Sequence, residues 1–475
     1  MFDALDRQTA LSRRQQLLAY LATWAVCLEF LDYFLIGFIL TFVSGSWSLT
    51  FGQSSIILLS SGIGAILGAL YFGRLADRIG RRRVFLITIA VFTLATGALA
   101  LTPDDAAVGW IYLTVLRVVV GFGAGGLYVV DLPMVQEFMP AAKRGRVVGM
   151  VTSAVPLGFL VGSLMVWLLS DLIGWRGILM VAAVMGLSVF TMRLWIPESP
   201  RYLVRQGDLE GARRSIAWAL HVDAESLPLA APAVESPQRK PGIRALLPYK
   251  RSFWLATIAN LGTQTGYYGL TLWTPTLLVL ILAIDPAQSG FYMVFVTLGA
   301  LAGRFGLSFL AEGVGRRRAG IIAGFAAAAL LVLAAALDQV AIAGFSVFFL
   351  LMIVVYFFGE GGFAIVGPYS GEVWPSWLRT TGMGFAYGIG GIGKVIGPLG
   401  LGLIVGSSNL VKPEATVTDL MPAFCYFAGW YALCAVMFAV LGFETKGKSL
   451  EALDDEIEGQ TRAGEENRWH TRSSR

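Results

Sequence analysis

Apolar residues run through this chain in long, nearly unbroken stretches, separated by short clusters of charge. Twelve stretches stand out, at 16–43, 52–76, 83–102, 107–138, 145–170 and 175–196, then 251–282, 288–312, 317–337, 340–371, 376–407 and 418–443. A helix of about 20 apolar residues spans a bilayer core, and every stretch is at least that long. The pattern predicts an all-α membrane protein with twelve transmembrane helices. The first stretch is too long for a cleavable signal peptide and lacks a small-residue cleavage site.

The charges fall on alternate sides of these spans. One side carries Arg7, Arg13 and Arg14, then Arg74, Arg78, Arg81, Arg82 and Arg83, then Lys143, Arg144 and Arg146. It continues with Arg201, Arg205, Arg213, Arg214, Arg239, Lys240 and Arg244 between spans 6 and 7, then Arg316, Arg317, Arg318 and Arg379. The opposite loops hold Asp104, Asp105, Asp285 and Asp338, with Arg176 and Lys412 as their few bases. Basic loops stay in the cytoplasm, which predicts cytoplasmic termini.

Composition sharpens this reading. Of 475 residues, 56% are hydrophobic and 14% charged, against about a quarter charged in a soluble domain. So few charges cannot keep a soluble surface wet, which excludes a soluble enzyme, a disulfide scaffold and a disordered chain. Cys27, Cys425 and Cys434 lie in apolar stretches and imply no disulfide framework. The net charge of +5 is accounted for by the cytoplasmic loops, so nucleic acid is not an expected partner.

The chain also repeats itself. Residues 76–83, Ala-Asp-Arg-Ile-Gly-Arg-Arg-Arg, match residues 311–318, Ala-Glu-Gly-Val-Gly-Arg-Arg-Arg. The offset from 76 to 311 is 235 positions, and the same offset carries Glu137 to Glu372, Arg144 to Arg379 and Pro133 to Pro368. Two six-helix units in parallel arrangement follow, and such repeats bracket a substrate site near the midplane. The expected domains are an N-terminal bundle at 1–196, a cytoplasmic linker at 197–250 with some helix and Pro228, Pro232, Pro237 and Pro241, a C-terminal bundle at 251–443, and a cytoplasmic tail at 444–475.

The stretch from Gly73 to Arg83, Gly-Arg-Leu-Ala-Asp-Arg-Ile-Gly-Arg-Arg-Arg, resembles the loop 2–3 signature of the major facilitator superfamily. Arg117-Val-Val-Val-Gly-Phe-Gly-Ala-Gly125 resembles its span 4 signature. Pro197-Glu-Ser-Pro-Arg-Tyr-Leu203 and Glu444-Thr-Lys-Gly447 resemble the ends of the two halves in sugar porters and in the related aromatic acid and metabolite:proton symporters. The resemblance covers almost the whole chain. It implies a cytoplasmic gate in which Glu137, Arg144, Glu198, Glu372, Arg379 and Glu444 form inter-helix ion pairs, beside the Asp77 and Arg81 turn. Topology and folding alone are the alternative role of these charges. Exposed pairs contribute little singly, so a latch needs several.

An ionisable side chain inside a span is costly and is a functional candidate by default. Glu29 and Asp32 share a face of span 1, and Arg117 in span 4 is the expected partner of Asp32. Similar aromatic-acid symporters carry Asp-Gly-x-Asp in span 1, where this chain reads Glu29-Phe30-Leu31-Asp32. In proton-coupled sugar porters the equivalent Asp and Arg form a proton switch. Burial favours the neutral acid and arginine favours the carboxylate, so such a pair is balanced between two states. A permanent structural pair is the alternative. His221 and His470 lie outside the spans, so a proton carrier must be a carboxylate. Asp131, lower in span 4, is either a second proton acceptor or a gate residue.

Glu360 and Lys394 lie at similar depths, about 18 and 22 Å from the cytoplasmic markers Glu372 and Arg379 at 1.5 Å per residue. Lys394 needs an anion, either Glu360 or a carboxylate substrate. Aromatic-acid and organic-anion transporters are similar here, with a base in span 11 ahead of Gly397-Pro398; that resemblance implies substrate binding. Lys in place of the more frequent Arg keeps charge but loses the bidentate fork. The repeat offset places Gln264 and Tyr267 opposite Glu29 and Asp32, and with Tyr268 and Trp273 they suit a small ring or short-chain molecule. Packing is the alternative for each aromatic. Span 5 lacks Gln and Asn, which counts against a sugar, whose hydroxyls need many partners.

The expectation is a multi-pass transporter of the bacterial inner membrane that imports a small organic acid with a proton by alternating access. A sugar or polyol symporter, an exporter of an amphipathic compound, and a non-transporting sensor are the alternatives. No enzyme activity, cofactor, metal or catalytic residue is expected; the partners are a small anionic substrate, protons and lipid, and the chain is expected to be monomeric.

Overall fold

A computed structural model describes residues 2–229, 242–411, 420–448 and 452–459. Arg239, Lys240, Lys412 and His470, three of the linker prolines (Pro232, Pro237 and Pro241) and most of the tail lie outside them. The described residues are helical apart from loops and one short hairpin, Ala341–Ile342 with Phe345–Ser346. Contacts divide the chain into two units, Met1–Pro237 with Ile284–Val294, and Gln238–Ala283 with Phe295–Arg475.

The first unit holds α1 (Phe2–Asp6), α2 (Arg13–Ser46), α3 (Phe51–Ile79), α4 (Arg81–Leu99), α5 (Ala106–Glu137), α6 (Ala141–Thr152), α7 (Ala154–Arg193), α8 (Pro200–Arg205) and α9 (Leu209–Leu220). Polar residues start these helices. Ser12 with Gln15 and Thr50 with Gln53 make capping boxes on α2 and α3, satisfying backbone donors that have no intrahelical partner. Asp105 caps α5 by accepting from Val108 N at 3.0 Å. Helices α3 and α5 meet backbone to backbone. A Cβ at Gly121 or Gly125 would lie 2.1 Å from the carbonyl oxygen of Ser61 or Ala65, so only glycine permits the approach.

The second unit holds α10 (Lys250–Leu282), α11 (Pro286–Val314, whose first turns group with the first unit), α12 (Arg316–Ala336), α13 (Val347–Glu372), α14 (Arg379–Gly390), α15 (Gly393–Val405) and α16 (Leu420–Val440). The short helical segment 452–459 also belongs here. It lays Leu453 and Ile457 into a cluster with Trp374, Leu378 and Phe443.

Eleven helical stretches among the described residues are long and apolar enough to cross a membrane. Ala142–Arg193 accounts for the difference from the expected twelve: it runs 52 residues, about 78 Å, more than two bilayer cores. Its helix breaks at Gly174, whose φ of 65° and ψ of 176° are not helical. The outward faces of both units are apolar, with Leu94, Leu172, Phe309 and Leu403 among the exposed side chains. Lipid, not water, is the medium that accepts such a surface. By contrast α2 and α10 are buried along almost their whole length, and α2 carries Glu29 and Asp32 while α10 carries Gln264, Tyr267 and Tyr268.

Candidate functional site

In the first unit, Asp32 is fully buried on α2 and Arg117 reaches it from α5. The guanidinium Nη1 donates to Asp32 Oδ2 at 2.7 Å and to the Asp32 carbonyl at 3.1 Å, and Nη2 donates to the Tyr33 carbonyl at 3.3 Å. Thr96 on α4 donates to Asp32 Oδ1 at 2.9 Å. Both carboxylate oxygens are therefore engaged, as a buried charge requires. Glu29 is buried one turn earlier on the same helix.

Asp131 is also buried, and its partner is Arg193, a residue not among the sequence candidates. Arg193, at the end of α7, donates to Asp131 Oδ1 at 2.8 Å. It contacts Met134 Sδ and lies over the Phe85 ring at 4.1 Å. It stands at the end of an apolar run, where a base also fits a loop.

In the second unit, Glu360 on α13 is fully buried. Its ion-pair partner is Arg304 of α11 at 2.5 Å, not Lys394. The expected alternative pairing of Glu360 with Lys394 is corrected accordingly: the two share a depth, but α11 presents the nearer cation. Arg304 stands in span 8 as Gly303-Arg304-Phe305, a single base in apolar surroundings, and that was the available signal. Lys394, in the first turn of α15, holds Nζ over the Tyr268 ring at 4.8 Å. Tyr268 packs edge-on to Tyr267 at 5.6 Å, and both contact Phe363. The Tyr267 hydroxyl stands beside the Glu360 carboxylate. Gln264 donates weakly to the Tyr387 carbonyl at 3.4 Å, and its Oε1 has no partner among the described residues. Trp273 is fully buried and its indole N–H donates to the Pro398 carbonyl at 3.1 Å, which ties it to packing of α10 on α15.

Tyr267, Tyr268, Gln264 and Lys394 thus sit in one neighbourhood of the second unit, with Glu360 and Arg304 beside them. Among the described residues, no group of three or more His, Cys, Asp and Glu is gathered as a metal site.

At the ends that carry the arginine clusters the two units repeat one construction. Arg81 pairs with Glu137 at 3.1 Å, and Arg316 pairs with Glu372 at 3.0 Å, an exact match under the 235-residue offset. Glu198 accepts from the backbone N–H groups of Arg81 and Arg82, both at 3.0 Å, and Glu444 accepts from Arg316 N at 2.9 Å. Ser199 donates to Glu137, and Thr445 donates to Glu372 at 2.6 Å. Gly80 and Gly315 precede the arginines with φ of 101° and 98°, conformations that glycine adopts without strain.

Three expectations change here. Glu137 and Glu372 take the loop 2–3 and 8–9 arginines, not Arg144 and Arg379. Glu198 and Glu444 cap helix backbones, where a carboxylate complements the dipole, and make no side-chain ion pair among the described residues. Arg144 and Arg379 hold backbone carbonyls, at Met139 and Gly371, and pair outward with Asp6 at 3.4 Å and Asp454 at 3.9 Å. Asp77 is exposed and has no ion pair among the described residues.

The family model described as "Sugar (and other) transporter" matches residues 18–456. The chain is 28% identical over 450 residues to a niacin transporter of Acinetobacter baylyi, covering 91% of this chain and 96% of that one. A cis,cis-muconate transport protein of the same organism is 24% identical over 392 residues, covering 81% and 86%. Among solved structures, the inward-open xylose transporter of E. coli superposes with a TM-score of 0.71 at 16% identity, covering 93% of this chain and 99% of that one. At that identity the likeness bears on the fold.

Proposed function

The chain belongs to the sugar (and other) transporter family, is a multi-pass membrane transporter and not an enzyme, and we propose that it imports a small organic acid together with protons. The substrate class is an aromatic or other carboxylate metabolite, in keeping with relatives named for niacin and cis,cis-muconate. In this reading the chain crosses the inner membrane twelve times, counting the two legs of 142–193, with both termini in the cytoplasm.

One observation carries the reading: the Asp32–Arg117 pair, buried and 2.7 Å apart, joins two transmembrane helices. An ionised Asp32 holds Arg117, whereas a protonated one releases it, so proton occupancy biases the packing of α2 on α5. A proton is needed to return the carboxyl to neutrality each time the pair opens in a dry environment. Lys394, with Tyr268 against its ammonium, supplies the charge for a carboxylate, and Tyr267, Phe363 and Gln264 supply apolar wall and a hydrogen-bonding group. The paired arginines and glutamates at the cytoplasmic ends serve as gate elements within each unit. Cycling between outward and inward access moves the bound acid across.

The deciding experiment is uptake of radiolabelled nicotinate and muconate into proteoliposomes, with and without an inward proton gradient. Accumulation above the external concentration only when the gradient is present supports the reading. Equal accumulation without any ion gradient overturns proton coupling, and indifference to all carboxylates overturns the substrate class.

A further inference from the structure

The three buried ion pairs differ in one respect. Asp32 has donors on both carboxylate oxygens, whereas Asp131 Oδ2 and Glu360 Oε2 have no hydrogen-bond partner among the described residues. An ionised buried oxygen without a donor is costly. A proton on that oxygen removes the charge and asks only for an acceptor nearby.

The surroundings separate the two. The Asp131–Arg193 pair is sealed, at 0% and 2% exposure, with the guanidinium against Phe85 and Met134. In the second unit Glu360 is equally buried, but its partner Arg304 is 16% exposed. A guanidinium at this depth does not face lipid, so its exposed part marks a wet side. Tyr267, whose hydroxyl both donates and accepts, stands beside Glu360.

We propose that Glu360 is a second proton-binding site, loaded in the same cycle as Asp32, so that two protons accompany each monoanionic substrate. The proposal rests on the proton-coupled reading above. Glu360 faces groups from several packed helices. Arg304 comes from α11, Tyr267 from α10, Tyr431 from α16, and Tyr356 lies on its own helix. Helix α12 carries ionisable groups only at its start, Arg316–Arg318. Helix α14 contributes Tyr387 and Arg379, the latter facing Asp454, and α15 contributes Lys394 over Tyr268.

The step balances simply. A proton from water binds Glu360 Oε2, and the new O–H donates to the Tyr267 oxygen. Arg304 stays cationic without its counter-charge. On the other side of the membrane that O–H bond breaks, the proton returns to water, and the Tyr267 hydroxyl turns to donate to Oε2. While Glu360 is neutral, the carboxylate charge beside Arg304 is gone and Lys394 is a further cation in the same neighbourhood, which favours a bound carboxylate. Proton loading and anion loading thereby assist each other.

The test measures stoichiometry. With nicotinate as probe and the membrane potential clamped at zero, two protons per anion give a final accumulation of about 100-fold per pH unit, against about tenfold for one. Glu360→Gln is expected to drop the value to about tenfold. A wild-type value of about tenfold overturns the second proton while leaving single-proton import intact. No dependence on the pH gradient overturns import with protons itself, and this proposal with it. A second readout needs no substrate: the infrared carbonyl band of a protonated carboxylic acid, followed against pH in the purified protein. Its partial loss in Glu360→Gln, and in Arg304→Gln/Glu360→Gln where no cation is stranded, supports the proposal. An unchanged band in both variants, with Asp32→Asn as reference, overturns it.

Discussion

Arg117 lies 2.7 Å from one oxygen of Asp32 while Thr96 holds the other at 2.9 Å, so this carboxylate is fully engaged in its charged form. Asp32→Asn keeps the shape but can neither lose a proton nor balance Arg117. Gradient-driven accumulation of the substrate is expected to fall to at most about tenfold per pH unit, the share that a proton on Glu360 alone supports, while exchange of preloaded for external substrate continues. Counterflow and net uptake, measured on the same vesicles, check this. Unchanged net accumulation removes Asp32 from the coupling.

Lys394 is expected to act on binding rather than on turnover. A hydrogen bond to a charged group contributes about 1.5–3 kcal/mol, so Lys394→Ala raises KM for a carboxylate by roughly 10- to 100-fold. Lys394→Arg keeps the charge and the contact with Tyr268 and loses less. Initial-rate uptake against substrate concentration separates KM from maximal rate. A fall in maximal rate alone would assign Lys394 to packing.

The Arg81–Glu137 and Arg316–Glu372 pairs predict an asymmetry. The Arg81–Glu137 side chains are each 12% exposed, whereas Arg316 and Glu372 are 31% and 21% exposed. Screening weakens the wetter pair. Glu137→Gln is therefore expected to cost about 1–2 kcal/mol and Glu372→Gln under about 1 kcal/mol. Thermal unfolding in detergent compares them, and added salt should widen the gap, because it screens the wetter pair more.

Much of this was legible in the sequence, for reasons that also mark its limits. Span length and the alternation of arginine clusters depend only on the bilayer, and the 235-residue offset correctly equated Arg81 with Arg316 and Glu137 with Glu372. The offset does not say which residues touch. Glu137 found Arg81 rather than Arg144 because helix rotation turns Arg144 toward the Met139 carbonyl and Asp6. Arg193 lies at the end of an apolar run, where a base also fits a loop, whereas Arg304 lies inside span 8 and its place in apolar surroundings was a signal in the sequence. Only their burial against Asp131 and Glu360 shows what each pairs with.

Gly80 and Gly315 offer a test of the helix-capping carboxylates. Both have left-handed φ, and a Cβ there would come 2.3 Å and 2.2 Å from Glu198 Oε2 and Glu444 Oε2. Alanine at either site combines backbone strain with displacement of the cap, and is expected to cost about 1–3 kcal/mol. Gly45→Ala is the control, because nothing lies within 4 Å of its added methyl group. Thermal unfolding of the three variants should place Gly45→Ala at the wild-type temperature and both others below it.

The sealed Asp131–Arg193 pair supplies the last prediction. Removing one member strands the other charge at 0% or 2% exposure. Such losses cost about 3–5 kcal/mol, whereas replacing both members with apolar residues of similar volume is often neutral. Asp131→Leu and Arg193→Met should each lower the unfolding temperature sharply, and the double variant should recover most of the loss. Arg193 Nε already lacks a hydrogen-bond partner among the described residues, so the apolar pair leaves no further polar group stranded there. If Asp131 serves packing alone, the double variant also accumulates substrate with the wild-type dependence on the pH gradient. A recovered stability with a lost gradient response would instead make Asp131 a proton carrier, and would move part of the coupling from Asp32 toward the C-terminal end of α5.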